Sequence, residues 1–221
     1  MVWHKHLQNK AIRAREFYDL FIKHPFTSVP AGWIFEHQIH QLLQQGQTIM
    51  IFPMKLKKGR SNTAYTPWST RGLGGAKSIR MPPSSEHPLP SGSTSLVAGQ
   101  YYRPESPTFP TIDVLILIKL GESDDHLLLI LQITRNNATH DAKEKGLLAV
   151  KKLVVPEGTK KLYIAVTPDD LNPTITIRTA CLKRLGKGRP EDVFPVYHYP
   201  VKQDALFGVP NLHVHSVQID G

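Results

Sequence analysis

Two apolar runs separated by a short polar turn dominate the pattern of this chain. Residues 112–120 and 127–134 are rich in Ile, Val and Leu, and the intervening GESDDH supplies turn-forming Gly, Ser and Asp. Runs of that length and composition predict an antiparallel hairpin. Both faces of each strand are apolar, so the hairpin is expected at the centre of a sheet covered on two sides. Asp113 and Gln132 interrupt the apolar context. Folding about Glu122 and Ser123 sets 113 opposite 132, and opposed residues of an antiparallel pair project to one face. The carboxylate and the carboxamide are therefore expected to converge, with Thr134 two residues on and on the same face. A carboxylate in such a setting is costly unless something pairs with it. Asp113 reads either as that paired group or as a strand-end residue capping the turn through Pro110 and Thr111.

The same reading places the other elements. In 2–23, Trp3, Leu7, Ala14, Phe17, Leu20 and Phe21 recur at helical spacing among Lys and Arg, which predicts an amphipathic helix. Two prolines break the pattern over 24–30. A second helix is expected over 31–46, with Phe35, Ile39, Leu42 and Leu43 inward and Gly46 as its stop. Glu36 and His40 stand four apart on one side of it, as a solvated face would also have them. A strand follows at 48–56, with Pro53 pointing to an edge or a bulge. Residues 135–156 read as a turn and a helix capped by Thr139 or Asp141, burying Leu147, Val150, Leu153 and Val154. A buried strand at 160–168 then implies a right-handed parallel crossover. The remainder is proline-punctuated, with strand-like pieces at 174–182, 193–201 and 212–219. The expected fold class is α/β: a mixed central β-sheet flanked by helices, with an N-terminal amphipathic helix and linker (1–28) ahead of a main domain (29–221).

Charge adds a partner class. The 221 residues hold 27 Lys plus Arg against 18 Asp plus Glu, a net +9 that favours a polyanion, most simply nucleic acid. The excess concentrates between 55 and 95, where Lys57, Lys58, Arg60 and Arg71 lie among Gly, Pro and Ser with Tyr65 and Trp68 interleaved. A long basic loop inserted at 57–95, with one short strand near Ile79, suits phosphates and unpaired bases as well as plain solvation. A second basic cluster is KRLGKGR at 183–189. Cys181 is the only cysteine, so the chain forms no internal disulfide and a reduced, intracellular setting is expected. No run of eighteen apolar residues and no signal-peptide pattern is present, so no membrane partner is expected.

Three apparent motifs fail on chemistry. RGLGGAKS has Arg71 and Ala76 where a phosphate-binding loop needs glycine, and no apolar strand leads into it. EHQIH at 36–40 lacks the order of a zinc-protease helix. His213 and His215 alternate along an expected strand, as surface positions do.

Four pieces in order, AGWIFEHQIHQLLQQG, YYRPESPTFPTIDVLIL, LLLILQITRNNATHDAKEKGL and KLYIAVTPDD, resemble the C-terminal domain of Crinkler-type proteins. That domain is similar to one in retrotransposon hot spot proteins and belongs to the restriction-endonuclease-like, PD-(D/E)XK nucleases. The resemblance spans about residues 30–168. It implies catalytic roles for Glu36 on the first core helix, the metal-binding Asp113, and Gln132 at the acidic or glutamine position of the second motif. Thr134 stands where the wider superfamily has lysine, and His140 and Lys143 match the His and Lys that follow in this subgroup. Arg135 adds to the expected nucleic-acid contacts of Lys57, Lys58, Arg60 and Arg71. Mg²⁺ held by Asp113, Gln132 and Glu36, with Mn²⁺ as a substitute, would polarise a phosphodiester and activate water. The implied function is Mg²⁺-dependent cleavage of DNA, ahead of RNA, by an effector acting inside the cell, with the nucleus as one expected place. The alternatives are a nuclease-fold module that binds nucleic acid without cleaving it, and an effector or scaffold that engages a protein.

Overall fold

The computed structural model describes residues 2–23, 28–58, 62–67, 75–89, 95–105, 111–122, 124–135, 139–178, 181 and 195–207. In chain order the elements are α1 (Val2–Ile22), α2 (Ser28–Gln44), β1 (Thr48–Pro53), β2 (Lys55–Lys58), β3 (Asn62–Thr66), β4 (Lys77–Arg80), β5 (Glu86–Pro88) and β6 (Tyr101–Arg103). Next come β7 (Val114–Lys119), β8 (His126–Ile133), β9 (Thr139–Asp141), α3 (Glu144–Lys152), β10 (Lys160–Pro168), β11 (Thr174–Arg178), β12 (Val196–Val201) and α4 (Gln203–Phe207). An eight-stranded mixed sheet runs β4-β1-β12-β10-β8-β7-β6-β5, and a four-stranded sheet runs β2-β3-β11-β9. The chain is thus mixed α/β, with a large sheet flanked by a few helices.

The hairpin lies where its apolar faces require. Val114 pairs with Leu131 and Lys119 with His126, the register of a fold about 122–123, and β7 and β8 are central strands. Val114, Ile116 and Ile118 pack with Leu127, Leu129 and Leu131 beneath α1, α2 and α4. Leu115, Leu117, Leu128 and Ile130 pack on the opposite face with Leu147 and Val150 of α3 and Ile175 and Ile177 of β11. Each of these side chains contributes about 1.5–3 kcal/mol by leaving water, which is why a two-sided apolar strand must be covered twice. β10 occupies the expected 160–168 and pairs with β8 in parallel, so the crossover through α3 is present. Among the described residues no helix is long and apolar enough to cross a membrane.

Four local expectations need correction. Helix α2 begins at Ser28, three residues early, because Pro30 in a first turn has no intrahelical N–H to lose. Pro53 closes β1, an interior strand between β4 and β12; the chain then steps through Met54 to β2 in the second sheet. The stretch 55–95 holds four short strands rather than one, since partly buried Leu56 and buried Tyr65 and Ile79 anchor them to the two cores. Thr139 and Asp141 do not cap α3: they form β9, which pairs with β11, and Val154 is exposed rather than inward. The basic cluster at 183–189 and the strand expected at 212–219 lie outside the described residues.

Gly46 ends α2 as the sequence predicts, at φ 78°, and a Cβ there would collide with the Pro83 nitrogen and ring. Gly46→Ala is expected to cost about 2–4 kcal/mol, as conformational strain and overpacking add. Gly158, also at positive φ but facing open space, supplies the control; its alanine variant should lose about 1 kcal/mol in urea denaturation.

Candidate functional site

The entrance to β7 holds the one non-glycine residue at positive φ among the described residues. Thr111 has φ 78°, a region that disfavours β-branched side chains by about 1–3 kcal/mol. Contacts from two other elements hold it there. Its Oγ1 accepts the Lys143 N–H at the start of α3, and its carbonyl lies 3.3 Å from the Tyr163 hydroxyl of β10. Two residues on, the Asp113 N–H donates to the Leu131 carbonyl at 2.9 Å, one residue out of the β7–β8 ladder register. This local bend redirects the Asp113 side chain, whose Oδ2 accepts the Ile133 N–H at 2.6 Å.

Gln132 lies on β8 beside Ala165 of β10, and its Oε1 accepts the Tyr163 O–H at 2.6 Å. Asp113 and Gln132 thus share one end of the sheet, as the register predicts, while their side chains take different partners. Thr134 continues past β8 and its N–H donates to the Val166 carbonyl.

A second polar chain approaches from α2 and β6. Burial pushes the Tyr101 phenol far above its ordinary range, so it keeps its proton and donates it to His40 Nδ1 at 2.5 Å. His40 Nε2–H then donates to Glu36 Oε1 at 3.3 Å, the tautomer that satisfies all three groups. Arg103, at the end of β6, lies 3.8 Å from Glu36 and 3.5 Å from Glu86. The hydrogen bond from His40 holds the Glu36 carboxyl below its usual range against the opposing effect of burial, and the charge of Arg103 adds to it.

Asp113 goes the other way. Burial pushes its carboxyl up to about 7, and the negative charge of Glu36 adds to the rise; the Ile133 N–H and Arg103 oppose it. Burial likewise raises the Tyr163 phenol, with the Asp113 charge reinforcing the shift. Among the described residues Asp113 has no salt bridge. Near neutral pH its carboxyl is therefore close to half protonated, and a cation placed beside it would favour the charged form.

The remaining sequence candidates scatter. Lys143 is exposed and its Nζ lies 3.3 Å from Asp141 Oδ2, while its main chain joins Thr111. His140 lies on β9 opposite Ile175. Lys57 is exposed on β2, an edge strand of the second sheet, and Lys58 ends that strand. Arg135 sits over the Tyr18 ring of α1, with its guanidinium carbon 5.5 Å from the centroid. Arg60 and Arg71 fall outside the described residues. Tyr101, Arg103 and Tyr163 are not among the residues that the sequence pattern singles out, although all three lie in the segments that carry the resemblance. Among the described residues no three His, Cys, Asp or Glu side chains converge as a metal cluster. Comparison with protein-family models, with curated proteins and with solved structures finds no match.

Proposed function

We propose that the chain is a Mg²⁺-dependent endonuclease acting on DNA, built on a restriction-endonuclease-like core with its site at the entrance to β7. The observation that carries this reading is Asp113: a carboxylate at the end of the central hairpin, raised to about 7 and lacking an ionic partner among the described residues. Its neighbours fit a hard divalent cation, since Asp113, Gln132 Oε1 and Glu36 are all oxygen donors. Asp113 would anchor Mg²⁺, Gln132 would add a carbonyl oxygen, and Glu36 a second charge farther out; Mn²⁺ suits the same donors. Mg²⁺ held there supplies polarisation of a phosphodiester and a bound water of lowered pKa. The chain's own residues do the positioning. Tyr163 fixes the Gln132 carboxamide, the Ile133 N–H orients Asp113, and the Tyr101–His40 pair fixes Glu36. Arg103 provides positive charge for a phosphate in place of the lysine that Thr134 replaces.

A titration with Mg²⁺ tests the anchor. At pH 7 a carboxyl with pKa about 7 is half protonated, so binding should release about half a proton per ion. Calorimetry in two buffers of different ionisation enthalpy reads that number. Release should vanish at pH 9 and in Asp113→Asn. Mg²⁺ binding with no proton release at pH 7 would place the ion elsewhere.

One feature favours the non-cleaving alternative. Gln132 brings no charge and its Oε1 already accepts a hydrogen bond, so Mg²⁺ affinity is set by Asp113 with little help. A protein that binds DNA in EDTA yet leaves it intact with Mg²⁺ and with Mn²⁺ would be the binding module.

A further inference from the structure

The opposite end of the large sheet carries a cleft that the proposed chemistry does not use. Its volume is about 1070 Å³, and it lies between the end of α2, the β4 segment, the β7–β8 turn and the start of β10. Five residues of extended chain separate Asp113 from Ile118 in its wall, about 17 Å at 3.4 Å per residue. The floor is apolar, from Ile79, Ile118, Leu127 and Leu162. Its charged lining residues are Lys77, Arg80, Lys119 and Lys160, with no Asp or Glu among them.

These cations come from three separate strands or strand ends, so the fold and not one basic run assembles them. Lys77 is stationed over the Tyr197 ring, its Nζ 5.1 Å from the centroid. Lys119 shares its charge with the fully exposed Asp124 at 3.4 Å, a pair that solvent weakens. Arg80 and Lys160 have no ion pair among the described residues. Thr48, Ser78 and Gln47 add neutral hydrogen-bonding groups to the same walls. A ligand matched to this lining has several negative charges and a body that covers apolar surface. One carboxylate on an alkyl chain leaves most of the cations uncompensated. Two or more phosphates on a nucleoside scaffold match both the charge and the floor.

We infer that this cleft is a binding site for nucleotide phosphates, either successive phosphates of a nucleic-acid strand or those of a free nucleotide. The site stands independently of the cleavage reading, because its residues lie away from Asp113 and its binding needs no metal. A strand engaging it would extend the contact surface across the sheet from the Asp113 end.

The test is fluorescence anisotropy on the whole chain in EDTA, with a labelled twelve-nucleotide single strand and, separately, a labelled ATP. Arg80→Glu with Lys160→Glu should weaken binding at least tenfold. The slope of log K on log salt should also fall by about 1.4, at roughly 0.7 for each single-strand phosphate that the protein no longer neutralises. Arg80→Gln with Lys160→Gln should lose at least threefold, which keeps the test valid should the reversed charges disturb folding. Lys145→Glu with Lys152→Glu, an equal charge change on α3, should stay within twofold. Loss confined to the strand assigns the site to nucleic acid, and loss with ATP as well assigns it to nucleotides generally. Equal weakening by the two glutamate pairs would reduce the effect to net charge and overturn the inference. Displacement of both probes by dodecanoate would also overturn it, making the cleft a site for anionic amphiphiles. Because no cleavage is read, failure here leaves the Asp113 site untouched, and failure of cleavage leaves this one untouched.

Discussion

Asp113→Asn is expected to stabilise the metal-free protein by about 2–4 kcal/mol at pH 8, a gain that shrinks toward zero near pH 4. The sign follows from the direction of the shift. The Asp113 carboxyl rises from 3.8 to about 7 on folding, so between those values the folded chain binds the extra proton. Stability attached to this group is fully present below about 4 and is lost as pH rises through 7. Asparagine keeps the shape and an oxygen for the Ile133 N–H while removing the charge that burial opposes. Urea denaturation in EDTA at pH 4, 6 and 8 reads the difference. A variant less stable than wild type at pH 8 would make Asp113 a structural strand-end residue whose charged hydrogen bond matters more than its burial. A stability cost carried by wild type at neutral pH is expected of a functional carboxylate, since a bound cation would offset it.

Gln132→Glu should tighten Mg²⁺ binding by about 10- to 100-fold, roughly 1.4–2.8 kcal/mol, by setting a second carboxylate beside Asp113. The new side chain still accepts the Tyr163 O–H, so the local geometry is retained. Without metal the two acids raise each other, and the variant should lose stability at neutral pH and recover it with Mg²⁺. Calorimetric titration gives the affinity and thermal melting with and without Mg²⁺ gives the linkage. An unchanged affinity would remove Gln132 from the ligand set.

What the sequence revealed depended on how local the determining contacts are. The β7–β8 register was legible because two continuous apolar runs and turn chemistry act within some twenty residues, and β10 was legible because Leu162 to Val166 read as one apolar run. The side-chain directions at 113 and 132 were not. A one-residue slip at Asp113 and the left-handed Thr111 follow from contacts to α3 and β10, which no pattern around Pro110 and Thr111 announces. β9 was mistaken for part of a helix entry because Thr139–Asp141 is too short for a period, and pairing with β11 decides its structure. The basic stretch read as a loop because its composition is that of loops. Its strands exist through single anchors such as Ile79 and Tyr65. Tyr163, which orders the Gln132 side chain, looked like any apolar residue in a buried strand. Tyr101 acts through His40, sixty-one residues away in the chain.

Supercoiled plasmid incubated with the whole protein tests the central claim most directly. The account predicts nicking in Mg²⁺ or Mn²⁺, none in EDTA, and a fall of 100- to 1000-fold in Asp113→Asn, about 3–4 kcal/mol of transition-state stabilisation. Plasmid binding in EDTA should be the same for both proteins. Nicking that survives EDTA, or that proceeds at the wild-type rate in a folded Asp113→Asn, would contradict it.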